Sequence, residues 1–326
     1  MLKIRKSGLQ TTVQDLGRTG FQKYGVIASG AMDPIAHRLA NLLVGNEEQA
    51  ATLEITLMGP VIEFAEDANI ALCGGDLEPE IDGVAVKMWR MLTVAKGSTL
   101  TFGEPRIGAR CYLAIAGGID VPLVMGSRST YLRAGIGGFQ GRALEKGDLL
   151  AVGQMTPQQQ KALQQNTENE FDWLVPPVRY FDEPVIRMMT GRQFDVFDAD
   201  SKKRIFNEAF AVSSNSDRMG YRLEGPRLSL ETPAELISEA VAFGSVQVPA
   251  DGNPIVLLAD RQTTGGYPKI GQAASVDLPL ISQLKPGQQL RFKEISLANA
   301  QQRLIEQEQS IRELKAAIQL KWEEWT

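Results

Sequence analysis

Short apolar runs separated by glycine dominate the hydrophobic pattern of the chain. Residues 70–72, 100–102 and 112–116 are examples, each rich in β-branched or alternating apolar side chains. Runs of this length, bounded by turn residues, are typical of β-strands. Strands and helices do not alternate regularly along the chain, which argues against a doubly wound α/β sheet. The pattern therefore predicts a mostly β fold of the α+β class with few helices.

Two shorter segments carry a helical pattern. Residues 33–44 start with Asp33, an N-cap residue, and Pro34, which is favoured in the first helical turn. Another short helix is predicted around residues 201–207. His37, the only histidine of the chain, lies in the first of these helices, where we expect a surface or partly packed side chain. A single histidine excludes a metal site built from several histidines of this chain, and we expect no resident metal ion.

The C-terminal segment, residues 296–325, predicts one long helix with an apolar stripe. The stripe repeats every seven residues and consists of Leu297, Leu304, Ile311, Ile318 and Trp325, with Ala300 and Leu314 on the same face. Gln307 and Lys321 interrupt it. Two interpretations stay open: the helix packs on the body of its own chain, or it docks a partner or a second copy.

The second half of the chain repeats features of the first half in the same order. Residues 15–21 resemble residues 215–221, and residues 96–102 resemble residues 286–292. Each of the latter pair is a turn that leads into a predicted strand. Matches in the same order indicate a duplicated pair of β-rich lobes.

A polar segment separates the two halves. Residues 154–170 are rich in glutamine and carry too few apolar side chains to form a core. We therefore predict four parts, which are a first β-barrel lobe at 1–153, a polar linker at 154–177, a second β-barrel lobe at 178–293 and a C-terminal helix at 294–326.

Composition and charge exclude several classes of protein. The 326 residues carry a formal net charge of −5, whereas a nucleic-acid-binding protein usually needs a basic face. No apolar stretch reaches the roughly 18 residues of a membrane helix, and the residues after the basic start are too polar for a signal peptide. Cys73 and Cys111 match no disulfide or zinc spacing. We expect a cytoplasmic protein that binds small molecules or proteins, with no nucleic acid and no membrane as partner.

The densest group of polar and glycine residues follows an apolar strand predicted at residues 255–259. The loop after this strand contains Asp260, Arg261 and Lys269, together with a glycine pair at 265–266. Backbone N–H groups beside glycine, with a cation nearby, can hold an oxyanion or a phosphate. The alternative is a glycine-rich hairpin with a solvated rim.

A second cluster and a repeated arginine are weaker signals. Residues 114–122, 126–130 and 135–138 combine glycine with serine, threonine and aspartate, but tight turns explain them equally well. Arg18 and Arg218 occupy equivalent places in the two halves. They could clamp anions, or each could pair with a carboxylate to hold the fold.

Common cofactor motifs are absent from the sequence. It contains no Gly-x-x-x-x-Gly-Lys-Ser/Thr phosphate loop and no Gly-x-Gly-x-x-Gly placed between a strand and a helix. Residues 85–88 resemble the acceptor sequence of biotin carriers only superficially, because they follow a turn and continue as an ordinary strand. We therefore expect no biotin on this chain.

Five motifs carry a family resemblance. They lie at residues 12–18, 53–56, 116–122, 216–223 and 260–268. With these motifs the chain resembles the allophanate hydrolase subunit 2-like proteins, also described as the C subunit of bacterial 5-oxoprolinase. The relatives of that family include the antagonist of the sporulation kinase inhibitor and the carboxyltransferase subdomains A and B of urea carboxylase. The resemblance covers residues 1–293 and leaves out the C-terminal helix.

The resemblance implies a fold, a reaction and partners. The fold is two cyclophilin-like β-barrel lobes. The reaction is the ATP-dependent opening of 5-oxoproline to L-glutamate. It takes place in a complex with the B subunit, which resembles the kinase inhibitor, and the A subunit, which is a separate lactam-handling protein. ATP with magnesium is then a co-substrate that contacts this chain or binds across the interface with the B subunit.

Anion-clamping candidates follow from the chemistry of that reaction. Phosphorylation of the lactam oxygen would activate the ring towards water, and the charge must be neutralised at each step. We expect Arg18, Arg218 and Lys269 to clamp phosphate or carboxylate groups. The backbone amides of Gly265 and Gly266 are expected to hold an oxyanion.

Two carboxylates are candidates for proton transfer. We expect Asp260 or Glu54 to hold magnesium or to act as a base, and with Lys269 they form the catalytic set. The remaining candidates orient the substrate or ATP, and they are Gln262, Thr263, Thr264 and Tyr267.

Two other functions stay open at this point. A binding module that antagonises a kinase-inhibitor protein needs no turnover, and the lack of a nucleotide motif and the striped C-terminal helix favour it. Carboxyl transfer as in urea carboxylase is less favoured, because the chain contains neither a carrier domain nor a biotin carboxylase domain.

Overall fold

The computed structural model describes residues 1–165, 173–232 and 236–325. The chain divides into two compact units. Unit 1 comprises Met1–Arg18, Ser29–Arg179 and Ser310–Thr326, and unit 2 comprises Thr19–Ala28 and Tyr180–Gln309. The change of unit at residue 180 lies close to the predicted start of the second lobe, and the C-terminal helix belongs in part to each unit.

Unit 1 is built mostly from short strands. They are β1 (Leu2–Lys6), β2 (Gln10–Gln14), β3 (Thr52–Thr56), β4 (Val61–Phe64), β5 (Ala68–Asp76), β6 (Pro79–Ile81), β7 (Val84–Ala85), β8 (Met91–Val94), β9 (Thr99–Phe102), β10 (Ile107–Ile115), β11 (Ile119–Asp120) and β12 (Leu149–Val152). Two helices accompany them, α1 (Pro34–Leu43) and α2 (Pro157–Gln165).

These strands form two sheets around one apolar core. A seven-stranded sheet has the order β11-β12-β1-β4-β9-β6-β7, and a five-stranded sheet has the order β2-β3-β10-β5-β8. Leu2 and Ile62 from the first sheet and Leu53 and Leu113 from the second belong to the same buried cluster. Residues 1–153 therefore form a β-rich lobe of two sheets around one core, and the closure of this lobe into a barrel stays a prediction.

Helix α1 covers the other face of the five-stranded sheet, where it packs on β5 and β10. The side chain of Asp33 caps the helix by accepting a hydrogen bond from the amide of Ala36 at 3.0 Å, and Pro34 occupies the first turn. The predicted helix at 33–44 is confirmed. Its buried face is apolar except for two polar side chains, His37 and Asn41.

His37 is fully buried, so the prediction of a surface or partly packed histidine was wrong. Its Nδ1 lies 2.9 Å from the hydroxyl of Thr52 on β3, and its Nε2 lies 3.4 Å from the amide of Asn41. Burial lowers the pKa of His37 to about 4, because a charged imidazole would lose its hydration there.

The segment predicted as a polar linker contains helix α2. Gln159 of this helix is buried and donates hydrogen bonds to the carbonyl of Val44 and to the side chain of Asn46, at 2.8 and 2.9 Å. Val175 is also buried, and its amide donates to the carbonyl of Trp89. The described parts of 154–177 therefore pack on unit 1, and residues 166–172 lie outside the described residues.

Unit 2 contains most of the remaining elements. The strands are β13 (Val185–Thr190), β14 (Ala209–Val212), β15 (Gly220–Glu224), β16 (Glu239–Ala240), β17 (Ser245–Gln247), β18 (Ile255–Leu257), β19 (Thr264–Gly265), β20 (Lys269–Ala273) and β21 (Gln289–Glu294). The helices are α3 (Ala199–Asn207), which confirms the prediction around 201–207, α4 (Leu278–Ser282) and the first part of α5 (Leu297–Trp325).

Seven of these strands close into a barrel with the order β13-β20-β17-β18-β15-β14-β21. Strand β21 closes it, because it pairs in parallel with β13 and antiparallel with β14. Phe210 and Phe292 meet inside with ring centroids 6.1 Å apart. Gly271 on β20 leaves room for Met188, whose side chain would overlap with any Cβ at that position. The predicted mostly β, α+β fold is confirmed.

A separate two-stranded antiparallel sheet, β16–β19, lies outside the order of the barrel. Glu239 is opposite Gly265 in this two-stranded sheet, and Ala240 is opposite Thr264. One further hydrogen bond, from the amide of Val241 to the carbonyl of Thr263, continues the pairing at 3.1 Å. The two-stranded sheet thus joins the segment before β17 to the loop that follows β18.

Helix α5 confirms the predicted C-terminal helix, and its last turns pack on unit 1. Ile311, Ile318 and Trp322 are buried, and the indole of Trp322 lies against Gly45, whose Cβ position is 3.0 Å from the ring. In the earlier turns the apolar side chains at Leu297, Leu304 and Ile305 are exposed. Of the two interpretations, packing on the chain's own body is the one found for the later turns. Among the described residues, no helix combines the length and the apolar character needed to cross a bilayer.

Candidate functional site

The loop at 260–269 connects strand β18 to strand β20 of the barrel. Strand β18 is buried, as the apolar pattern at residues 255–259 predicts, and Lys269 is the first residue of β20. Between them, β19 pairs with β16 in the two-stranded sheet. Both ends of the loop are therefore held by a rigid barrel, and its middle is held by the pairing of β19 with β16.

Arg218 and Asp260 form a buried ion pair at the start of this loop. The Nε and Nη2 atoms of Arg218 donate to the two carboxylate oxygens of Asp260 at 3.0 and 3.1 Å. The backbone amide of Asp260 also donates to the carbonyl of Arg218, at 2.8 Å. Of the two interpretations of Arg218, the structure shows the arginine paired with a carboxylate. To hold magnesium or clamp an anion, either residue would first have to release the other, and these roles stay predictions.

Lys269 contacts a carboxylate that the sequence did not point to. Its Nζ atom lies 3.5 Å from Oε2 of Glu239 on β16, and its backbone amide donates to Oε1 of Gln193 at 3.3 Å. The side chain of Lys269 is only 11% exposed, so its charge is largely removed from water. A buried ammonium needs a counter-ion, and Glu239 supplies it here.

The other predicted loop residues lie at the surface. Gln262, Thr264, Gly266 and Tyr267 are exposed, and Thr263 and Gly265 are partly exposed. Neither glycine of the pair has a positive φ angle. Their absent side chains instead permit close packing, since a Cβ on Gly265 would lie 3.0 Å from Oε1 of Gln247. An oxyanion site at these two amides stays a prediction.

A cavity of about 740 Å³ adjoins the loop within unit 2. It is lined by Phe197, Arg227, Leu228, Ser229, Leu230, Leu236, Val248, Pro249, Ala250, Asp251, Gly252, Gly266, Tyr267 and Pro268. Phe197, Leu228 and Val248 are buried and give it an apolar floor, whereas Arg227 and Asp251 bring charge to the lining. Gly266 and Tyr267 are the two predicted binding residues that reach this cavity. Its size is in the usual range for a small-molecule pocket.

Arg18 and its neighbour Asp15 anchor the loops of unit 1. The guanidinium of Arg18 is buried and donates to the carbonyls of Val124 and Ser129. The carboxylate of Asp15 accepts hydrogen bonds from the hydroxyl of Ser127 at 2.7 Å and from the amide of Arg128. The weaker cluster at 126–130 thus packs against the motif at 12–18, and both serve to hold the chain together here.

Glu54 lies in a buried network on strand β3. Its Oε2 atom accepts a hydrogen bond from the amide of Met32 at 2.9 Å and from the hydroxyl of Tyr112 at 2.8 Å. Oε1 lies 3.8 Å from Nε of Arg110. Burial raises the pKa of Tyr112, which therefore stays protonated as the donor. Glu54 is 1% exposed, and its role as a base or magnesium ligand stays a prediction.

The predicted site residues fall into two groups in the structure. The residues from Arg218 to Lys269 belong to unit 2, and Arg18 and Glu54 belong to unit 1. Among the described residues, no group of three or more histidine, cysteine, aspartate or glutamate side chains is arranged to hold a metal ion. Asp260 and Glu54 are both engaged by cations or donors, so neither offers a ready magnesium site in this arrangement.

Comparison with known proteins gives the family. The model of the carboxyltransferase domain, subdomain A and B, matches residues 24–294. The chain belongs to this family. It is 42% identical over 313 residues to the 5-oxoprolinase C subunit of Escherichia coli, covering 94% of this chain and 97% of that protein. It is 37% identical over 300 residues to the 5-oxoprolinase C subunit of Haemophilus influenzae, covering 92% and 93%.

Longer chains of known structure share the fold. Urea carboxylase of Kluyveromyces lactis matches with a TM-score of 0.82 and 29% identity, over 100% of this chain and 29% of that chain. Another solved chain matches with a TM-score of 0.79 and 32% identity, and this chain spans only 56% of its length. This chain therefore matches only one part of each of these longer polypeptides.

The carboxyltransferase match includes the loop at 260–269 and Glu54 but begins after Arg18. Sequence reasoning missed the residues that contact Lys269, which are Glu239 and Gln193. Each lies at least 30 residues away and is isolated from any recognisable motif. The contact follows from the pairing of β16 with β19, which places Glu239 opposite Gly265.

Proposed function

We propose that this chain is the C subunit of an ATP-dependent 5-oxoprolinase, which opens 5-oxoproline to L-glutamate with ATP hydrolysis in a complex with the B and A subunits. The observation that carries the proposal is the 42% identity to a 5-oxoprolinase C subunit over 97% of that protein's length. Urea amidolyase of Saccharomyces cerevisiae matches at 31%, but there the chain spans only 18% of the protein. The chain therefore matches almost the whole of the 5-oxoprolinase subunit and only a part of the urea amidolyase.

The loop at 260–269 and the adjoining cavity are the proposed substrate site. Gly266 and Tyr267 belong to the loop and also line the cavity. The barrel holds the two ends of the loop. Lys269 supplies a positive charge for a substrate carboxylate, because its partner Glu239 is partly exposed and 3.5 Å away, whereas Arg218 is held by the buried Asp260 at 3.0 Å. Groups held by a rigid scaffold need little reorganisation when the substrate binds.

ATP with magnesium is proposed to bind across the interface with the B subunit. Asp260 and Glu54 are occupied by other partners, which supports a position outside these two carboxylates. In the proposed reaction the lactam oxygen accepts the terminal phosphoryl group of ATP and ADP is released. A first water adds to the activated carbon, and the ring C–N bond breaks to leave an acyl phosphate. A second water hydrolyses this acyl phosphate to the carboxylate of glutamate and free phosphate. The part of this chain is to bind and orient the lactam.

The test is ADP release from ATP, measured with and without 5-oxoproline. It is run with this chain alone, with the B subunit added, and with the B and A subunits together. Stimulation by 5-oxoproline that requires this chain supports the proposal. A stable complex of active partners without stimulation contradicts it and favours the binding module that antagonises a kinase inhibitor. The substitution Lys269→Met is expected to reduce the stimulation, whereas Lys203→Met, on the exposed side of α3, serves as the matched control.

A further inference from the structure

Three donors converge on one carboxylate oxygen at the two-stranded sheet β16–β19. The oxygen is Oε2 of Glu239, and the donors are Nζ of Lys269 at 3.5 Å, Nε2 of Gln193 at 3.5 Å and Nη1 of Arg192 at 3.8 Å. Ordinary charged hydrogen bonds are shorter, at about 2.7–2.9 Å. The donors therefore form a loose cradle for an anion, and Glu239 fills it without a tight fit.

A buried acceptor without a partner lies in the same place. Gln247 is opposite Lys269 in the β17–β20 ladder and is 8% exposed. Its Oε1 atom is buried and has no hydrogen-bond partner among the described residues. A Cβ built on Gly265, the residue paired with Glu239, would lie 3.0 Å from this oxygen. A buried amide oxygen that lacks a donor is unfavourable, so this position favours a ligand that brings an N–H group.

We propose that Lys269, Gln193, Arg192 and Gln247 form a binding site for a small carboxylate that also carries an N–H donor. The side chain of Glu239 occupies the place of the ligand's carboxylate in the free chain. The ligand's carboxylate replaces Glu239 on Lys269, and its N–H donates to Oε1 of Gln247. That the ligand is 5-oxoproline rests on the proposed function, since this molecule has a carboxylate and a lactam N–H.

Glu239 is able to leave its position. Its side chain is 37% exposed, so the released carboxylate is hydrated at once. The two-stranded sheet that carries Glu239 has only two paired positions, so a small displacement of Glu239 breaks fewer hydrogen bonds than the opening of a barrel strand. Lys269 does not lose its counter-ion in the exchange, because one carboxylate replaces another.

The exchange leaves the reactive part of the lactam unbound by these groups. Lys269 holds the carboxylate and Gln247 holds the ring N–H, so the lactam oxygen is available for chemistry. Glu239 then acts as a competitor of the substrate, and its removal should strengthen binding. This effect separates the proposed role from a purely structural ion pair, whose loss would weaken the site.

The experiment measures binding by titration calorimetry to the full-length chain and to its complex with the B and A subunits. The probes are 5-oxoproline, 2-pyrrolidinone, which lacks the carboxylate, and cyclopentanecarboxylate, which lacks the N–H. We expect 5-oxoproline to bind best and Glu239→Gln to tighten its binding about three- to tenfold, since a partly exposed ion pair no longer competes. Glu224→Gln, on the exposed side of β15, is the matched control and should leave binding unchanged.

Gln247→Leu gives the second arm. It should weaken 5-oxoproline but leave cyclopentanecarboxylate unchanged, because only the first donates an N–H. Unchanged or weaker binding of 5-oxoproline to a folded Glu239→Gln chain, or no binding to chain and complex alike, overturns the proposal. If ADP release is stimulated but Glu239→Gln has no effect, this inference fails and the proposed function stands. If the substitution tightens binding and no ADP is released, the opposite holds.

Discussion

Arg218 and Asp260 hold each other through two side-chain hydrogen bonds and one backbone hydrogen bond. The pair is buried and joins the turn before β15 to the first residue of the candidate loop. It therefore fixes the place where the loop leaves the barrel. Its contribution to the fold must be measured before any effect on activity is assigned to chemistry.

The substitution Asp260→Ala should lower the free energy of unfolding by about 3 kcal/mol, because it leaves the buried guanidinium of Arg218 without its carboxylate. Urea denaturation followed by tryptophan fluorescence measures this. Asp195→Ala, at an exposed position of the same unit, is the control. Equal free energies for Asp260→Ala and the wild-type chain would contradict the structural role of the pair.

Arg261 presents the opposite case in the same loop. Its Nε atom is buried without a hydrogen-bond partner among the described residues, and its guanidinium lies 5.7 Å from the ring centroid of Phe243. Burial lowers the pKa of Arg261. We expect Arg261→Met to raise Tm, because it removes a partly buried charge, and to lower kcat/KM of the complex for 5-oxoproline about tenfold or more, because the loop loses a cation.

Differential scanning fluorimetry and the ADP-release assay give these two readouts for Arg261→Met. Arg222→Met, at an exposed position of β15, is the matched control and should change neither. A lower Tm for Arg261→Met would show that the guanidinium stabilises the fold, contrary to this expectation.

His37 should make the stability of the chain depend on pH. The pKa of this residue is about 4 in the folded chain, against 6.5 for an ordinary histidine. Between these values the unfolded chain binds a proton that the folded chain does not bind. The free energy of unfolding should therefore fall as the pH drops from about 6.5 to about 4, by about 3 kcal/mol in total, and His37 should add no dependence above that range.

The substitution His37→Gln removes this proton uptake. Denaturation curves at several pH values between 5 and 6.5 should show a clear slope for the wild-type chain and a flatter one for the variant, in a range where most carboxylates are already ionised. Identical slopes would contradict a neutral, buried His37.

The docking of α5 depends on Trp322. Because its indole is buried against Gly45, Trp322→Ala should lower the free energy of unfolding by about 3 kcal/mol. Leu320→Ala, two residues earlier and exposed, should change it by less than about 0.5 kcal/mol. Chemical denaturation measures both, and a similar loss for the two variants would speak against a docked last turn.

Local patterns predicted the elements that local physics determines. Asp33 and Pro34 mark the start of α1 through contacts within one helical turn, so the helix could be found from a few residues. The apolar run at 255–259 gave β18 in the same way. The repeated features indicated two β-rich halves, and each half is rich in strands.

Features that depend on distant residues could not be predicted. Asp15 is held by Ser127 and Arg128, more than 110 residues later, and no spacing rule connects them. Whether strands close into a barrel depends on the pairing of distant strands, such as that of β21 with β13 and β14, which no local pattern shows. The contact of Lys269 with Glu239 likewise depends on the pairing of β16 with β19. The low pKa of His37 results from its burial, which the helical pattern did not predict.

Strand β21 also determines when the second barrel can form during synthesis. It pairs with both β13 and β14 and is the last barrel strand along the sequence, at Gln289–Glu294. A nascent chain that has not yet released these residues from the ribosome exposes two unpaired strand edges, which are prone to pair with other chains. The barrel can therefore close only after its last strand has emerged, and a nonsense mutation before codon 289 would produce an open, aggregation-prone sheet.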